Sequence, residues 1–290
     1  MYTLYLFTCN NLKDIVILGY VFGVLGALSS PILGFDVGPS LLEILHKTPA
    51  MLFWSWTNLL LFNLHNQRHV DAIEEDRINK PWRPLPANRL TAKEATHLMH
   101  AMYPVVIISS AYSGGLRPCL IEAFSCLWYN EWMGAESPIF KNFLNAAGFA
   151  CFLAGPLEIV LGNISLVDFP RTFQWLVMIG ITIFMTVHTQ DFCDQDGDRL
   201  RERRTVPLVI GDGPARWIAV FSVLLCSCSA TVFWQLGIVG FSLPASTGAL
   251  VSVNLLWNRT VKGDILTWKI WPFWITSLLL LPLIKMHSNL

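Results

Sequence analysis

Residues 190–207 read QDFCDQDGDRLRERRTVP and place carboxylates at Asp191, Asp194 and Asp198. Steps of three and four residues return to one face of a helix, so the spacing predicts three acids pointing the same way. Like charges that close repel unless a cation sits among them. Arg199, Arg201, Arg203 and Arg204 follow directly, and Arg216 a little later. Hard oxygen ligands beside a cationic collar suit Mg²⁺ holding a phosphate or diphosphate. The competing reading is a solvated helix end with a mixed-charge face. The flanks bear on the choice: apolar runs at 172–189 and 217–236 bracket the stretch. That sets the acids at a membrane boundary, where ionisable clusters tend to carry function.

A second acidic-then-basic segment covers residues 63–91, NLHNQRHVDAIEEDRINKPWRPLPANRLT. Asn63, Gln67, Asp71 and Glu75 recur every four residues and predict one polar stripe continuing a span out of the membrane, with Asp76 beside it. Asn79, Lys80, Pro81, Arg83 and Pro84 then form a stiff cationic turn, because each proline fixes its own φ and restricts the residue before it.

The elements that must position these groups follow from composition. Of 290 residues, 53% are hydrophobic and only 14% charged, with a mean hydropathy of +0.49. A soluble domain carries about a quarter charged residues, so the class is an all-α, polytopic membrane protein. Formal net charge is zero, which recommends no nucleic-acid partner. The seven cysteines fall mostly inside apolar runs without zinc spacing, so they read as small buried residues. The first residues lack the basic start and small-residue site of a cleaved signal peptide.

Nine stretches are long enough to span: roughly 14–35, 48–66, 95–113, 116–133, 143–162, 172–190, 215–236, 239–257 and 270–286. Glu94, His97, His100, Arg117 and Glu122 interrupt the third and fourth. Counting loops from the N-terminus puts sixteen of the twenty Lys and Arg residues, Lys141 among them, on one side. The positive-inside rule makes that side cytosolic, together with the N-terminus and both acidic loops. The two loops stand four spans apart and each runs from carboxylates through Arg to Pro-Leu. This plan reads as one domain, 1–290, with two weakly related halves at roughly 48–162 and 172–286 whose acidic ends face one cavity.

Asp191-x-x-Asp194-x-x-Gly197-Asp198 with Arg204-Thr205-x-Pro207 resembles the second aspartate motif of the UbiA superfamily of intramembrane prenyltransferases. Asp76-x-x-Asn79-Lys80-Pro81-x-Arg83-Pro84-Leu85-Pro86 resembles the loop after its first motif, more loosely. With the nine-span plan, the resemblance covers nearly the whole chain. It implies a helical cavity where two acidic motifs hold Mg²⁺ against the diphosphate of an isoprenyl substrate. Asp76, Asp191, Asp194 and Asp198 would be the catalytic, metal-holding carboxylates, with Asp71 and Glu75 as further metal candidates. Asn66, Lys80, Arg83, Arg199 and Arg204 would meet the diphosphate.

The first motif departs from the family pattern Asn-Asp-x-x-Asp-x-x-x-Asp. Counting back from Asp76, Ala72, His69 and Arg68 occupy the other positions, while Asp71, Glu75 or Asn66 stand one or two residues out of phase. Glu202 replaces the glycine often found after the second motif. The wording of residues 75–86 is similar to a fungal branch that includes membrane-bound terpene cyclases. This resemblance implies a terpene cyclase, and the altered 66–76 segment with its apolar, aromatic-rich spans leads to the expectation of a C15 substrate, farnesyl diphosphate. A prenyltransferase with a lipophilic acceptor is the alternative, and a transporter the third, disfavoured because the carboxylates cluster in loops. An endomembrane such as the endoplasmic reticulum is the expected location, and no obligatory protein partner is evident.

Other residues carry less. His65 and His69 lie four apart but lack a third soft ligand for zinc. His188 stands one turn before Asp191, Glu158 lies within the fifth span, and 163–165 is a glycosylation sequon against the membrane. The 36 aromatic residues could shield a carbocation, though most read as packing or interface belt.

Overall fold

The computed structural model describes residues 1–200 and 202–288, so Arg201 of the cationic collar lies outside the described residues. Among these residues the chain is helical throughout: α1 Tyr2–Thr8, α2 Leu18–Leu28, α3 Ser30–Leu33, α4 Leu41–Gln67, α5 Val70–Asn79, α6 Ala92–Ser113, α7 Leu116–Asn130 and α8 Pro138–Val160 form the first half. The second half holds α9 Pro170–Thr186, α10 Gln195–Leu200, α11 Val206–Ile210, α12 Asp212–Phe233, α13 Ile238–Trp257, α14 Val261–Leu279 and α15 Leu281–Ser288. A π-helical turn at Leu12–Ile17 leads into α2, and a 3₁₀ segment at Val187–Phe192 continues α9.

Each of the nine expected stretches carries helix. Among the described residues, five segments are long and apolar enough to cross a membrane: Pro138–Val160, Pro170–Phe192, Asp212–Phe233, Ile238–Trp257 and Val261–Ser288. A sixth results if Tyr2–Thr8 and Leu12–Leu28, bent by 73°, count as one. Helix α7 falls short by length, with 15 residues, and α4 and α6 because polar residues are spent on their inner faces and ends. Asn58, Asn63, His65 and Gln67 of α4 are buried, as is Glu122 of α7. In α6 the charged residues sit at the start, where Thr91 and Glu94 form a reciprocal cap.

Helix α8 is the hub, packing against α2, α4, α7 and α9. Small residues let these helices approach. A Cβ on Gly155 would sit 2.3 Å from the Trp54 ring, and one on Gly19 2.3 Å from the Phe152 carbonyl. Trp54 also donates to the carbonyl of Gly115, at the turn between α6 and α7 where φ is +77°. Outer faces carry Phe124, Phe143, Ile181, Phe221, Val232 and Phe273, all exposed. An apolar exterior around a partly polar interior is the arrangement a lipid surround selects.

Candidate functional site

Both acidic segments break where the sequence predicts continuous helix. Helix α4 stops at Gln67, His69 takes an extended ψ of 144°, and α5 leaves in a new direction. The four-residue stripe is therefore cut in two. Gln67 bonds Asn63 within the bundle, 3.3 Å away, whereas Asp71 is exposed beyond the break. In the second segment α9 tightens into 3₁₀ geometry at Val187, pauses at Cys193–Asp194 and resumes as α10. Asp191, Asp194 and Asp198 thus do not share one α-helical face. A tightened turn between two helical stretches re-aims its side chains, and here they meet by tertiary placement.

The two segments pack on each other. Gly197 lies so close to α5 that a Cβ there would come within 2.1 Å of Asn79 Nδ2. Lys80 Nζ stands 3.5 Å from Asp194 Oδ2, and Arg203 reaches Asp198 Oδ1 at 3.5 Å and Glu75 Oε2 at 4.0 Å. Asp76 is closed on Arg83, with both carboxylate oxygens 2.8–2.9 Å from Nη1. Lys141, in the first turn of α8, donates to Asp191 Oδ1 at 2.6 Å.

These groups surround one cavity. Among the expected site residues, Asn66, Glu75, Asp76, Lys80, Arg83, Asp191, Asp194 and Asp198 line it. Asp71, Arg199 and Arg204 do not. Asp71 and Arg204 border a neighbouring cleft, and Arg199 lies on the exposed side of α10, 2.9 Å from Asp196. The cavity also takes Arg203 of the cationic collar, and Tyr129, Lys141, Asn145 and Gln190, which spacing within the acidic loops does not select. Lys141 belongs to the cavity and not to a cytosolic loop. Its face of α8 continues through Asn145, Gly148, Phe149 and Phe152, all lining the cavity. That 3.6-residue periodicity, with a lysine at its head, is the available sequence signal.

Among the described residues, six carboxylates and four basic side chains line the cavity, a net deficit of positive charge. Burial pushes the Asp198 carboxyl up to about 6 despite Lys141 nearby, and it raises Asp76 despite Arg83. Arg203 is held above its ordinary value: burial opposes its charge, but Tyr129, Glu75 and Asp198 outweigh it. Asp191 Oδ2 and Asp198 Oδ2 are buried without a hydrogen-bond partner. Among the described residues no three His, Cys, Asp or Glu side chains converge as a metal cage. Mg²⁺ seldom uses one, taking one or two carboxylates, waters and substrate phosphate oxygens instead. Two orphan carboxylate oxygens facing a negative cavity fit that mode.

The remaining sequence candidates make contacts within the helical bundle. His65 bonds Glu131 at 3.0 Å and Tyr103 at 2.8 Å. Arg68 also bonds Glu131, and His69 stands 3.5 Å from it. The histidine pair therefore staples the α4–α5 break to the end of α7. His188 faces the carbonyl of Ala215 at 3.3 Å, and Glu158 accepts from the backbone of Leu166 at 3.1 Å. Arg216 braces the second segment from behind. It pairs with Asp212 and Asp264 at 2.7–3.0 Å and lies over the Phe192 ring at 4.4 Å.

Residues 50–278 match the UbiA prenyltransferase family. The chain is 30% identical over 238 residues to the fumagillin beta-trans-bergamotene synthase of Aspergillus fumigatus, covering 79% of this chain and 78% of that one. It is 29% identical over 213 residues to the diterpene cyclase eriG of Hericium erinaceus, covering 70% and 64% respectively. Its fold is similar to a UbiA homolog from Archaeoglobus fulgidus, solved bound to GPP and Mg²⁺, with a TM-score of 0.57 and 13% identity over 95% of this chain and 99% of that one.

Proposed function

Since this chain belongs to the UbiA prenyltransferase family and is an enzyme of isoprenyl diphosphates, we propose that it is a Mg²⁺-dependent terpene cyclase acting on farnesyl diphosphate. The observation that carries the reading is the polarity of one cavity. Its mouth holds the charged residues of the two acidic segments and Lys141, while Ile15, Phe62, Leu144, Phe149, Phe152 and Trp268 line its interior together with Glu122. The relatives named as a synthase and a cyclase support the choice of cyclisation over transfer.

Asp191 and Asp198 would hold Mg²⁺ through their free oxygens, with Asp194 and Glu75 within reach of the same mouth. The metal, when bound, neutralises charge on the leaving diphosphate. Lys80, Lys141 and Arg203 are placed to meet diphosphate oxygens, since each now bridges to a carboxylate that the metal would engage. Arg83 fixes Asp76 and, with Pro81 and Pro84, shapes the turn that carries Lys80. The C1–O bond breaks with its electron pair going to the diphosphate. The apolar interior then excludes water and folds the chain so that a distal double bond reaches C1. Phe149 packs on Trp271, which stacks on Trp268, giving the wall fixed aromatic faces of the kind that stabilise cations.

Membranes carrying the enzyme, given C10, C15 and C20 diphosphates with Mg²⁺, test the assignment. A hydrocarbon from the C15 substrate without acceptor supports it. Turnover only after a phenol is added, with a prenylated product, overturns it in favour of the transferase. The membrane arrangement belongs to the same reading: nine spans, one domain of two related halves, and a cytosolic N-terminus and cavity mouth in an endomembrane. A reporter inserted near Asn88 should face the cytosol, and a lumenal reporter would refute this orientation.

A further inference from the structure

Deep in the cavity stands a carboxylate that the charged mouth does not use. Glu122, on α7, is 4% exposed and lines the cavity. It makes no hydrogen bond or ion pair among the described residues, and its Oε2 is buried without a partner. Ser125, Cys126 and Tyr129 follow it on the same helix face and line the same space. A buried, unpaired carboxyl costs stability wherever it has no task, and within a membrane-embedded bundle it is a functional group by default.

Its depth can be read from α8. Lys141 marks the mouth, and Gly148 lies beside Glu122: a Cβ on Gly148 would sit 3.0 Å from Oε2. Seven residues of α-helix separate the two positions, a rise of about 10 Å. Tyr129 and Glu122 are the same seven residues apart on α7. Glu122 therefore stands about 10 Å inward of the group on Asp191, beside the distal part of a C15 chain whose diphosphate occupies the mouth. The other five carboxylates lining the cavity belong to the two acidic segments at the mouth.

We infer that Glu122 is the general base that ends the cyclisation, a role that rests on the cyclase reading above. After ring closure the positive charge sits on a ring carbon away from C1. A C–H bond next to that carbon breaks and its electron pair becomes the new C=C bond. The proton passes to Glu122 Oε2, leaving a neutral carboxyl, which returns it to water when the hydrocarbon leaves. Until that transfer, the carboxylate attracts the cation through a medium of low dielectric. It thereby selects which carbon is deprotonated. Glycine at position 148 supplies the space this carboxylate occupies.

The test uses the full-length enzyme in membranes with the C15 diphosphate and Mg²⁺, and separately measures diphosphate release and product identity. Glu122→Gln should release diphosphate with KM within about threefold of the parent, because the mouth is unchanged. Its main hydrocarbon should fall by roughly 100-fold, the scale of general-base catalysis. Alcohols from water capture and early-terminated hydrocarbons should replace it. Glu122→Asp should recover part of the original product. Gly148→Ala, which crowds Oε2 without removing it, should shift the product ratio in the same direction and covers the case in which Glu122→Gln does not fold. The parental product spectrum from either Glu122→Gln or Gly148→Ala, in a wild type that forms hydrocarbon, overturns the role of Glu122 alone. A wild type that forms no hydrocarbon without an acceptor overturns the cyclase reading itself.

Discussion

In the first acidic segment the buried carboxylate of Asp76 is saturated, with both oxygens on Arg83. In the second, Asp191 and Asp198 each spend one oxygen on a basic side chain and leave the other open. The segments carry similar residues in a similar order, yet the buried aspartate of one is closed on its own arginine while those of the other each keep an oxygen without a partner. Ala72 sharpens the contrast. It lies in the cavity wall at a position where the family pattern carries an aspartate, so no carboxylate stands there. The difference teaches that similar acidic letters can fold into an internal ion pair in one segment and into open carboxylate oxygens in the other.

The largest effect should come from the second segment. Asp191→Ala and Asp198→Ala should each lower turnover by roughly 100-fold or more, the scale of removing one preorganised charge at a transition state. Chelation with EDTA should reproduce the loss, measured as diphosphate release from membranes. Near-parental rates in both variants would remove the metal from this segment.

The first segment should separate into two kinds of residue. Asp76→Asn leaves Arg83, itself 8% exposed, buried without its counter-charge, so it should cost about 3–5 kcal/mol of stability. Thermal unfolding in detergent would show it. Glu75→Gln should leave stability near the parent and slow turnover about tenfold, equivalent to about 1.4 kcal/mol of lost transition-state interaction. If Glu75→Gln unfolds the protein while Asp76→Asn only slows it, the assignment of scaffold and site is reversed.

The smallest effects mark the edge of the site. Arg199→Ala and Arg204→Ala should leave donor KM and turnover within about twofold, because both side chains are exposed and away from the cavity and surface pairs contribute little. A tenfold rise in donor KM for either would bring it back to the diphosphate.

What the sequence by itself determined is whatever depends on local pattern. Apolar runs placed helix at each of the nine stretches, because burial or lipid contact is the only inexpensive fate for such runs. The acidic and basic letters of residues 71–86 and 191–207 marked both segments that reach the cavity, because charge at a membrane boundary is costly to keep without use. Tertiary structure decided what depends on rotation and direction. The breaks at Arg68–His69 and Cys193–Asp194 set the azimuth of every later carboxylate, and no spacing rule counts through a change of axis. Lys141 counts as one more cytosolic charge along the chain, but the rotation of α8 turns it inward onto Asp191, fifty residues away. Glu122 interrupts an apolar span in the sequence, and only the packing of α7 against Gly148 turns it into a deep wall of the cavity. A helix presents every residue to some direction, and its neighbours alone determine which direction faces the substrate.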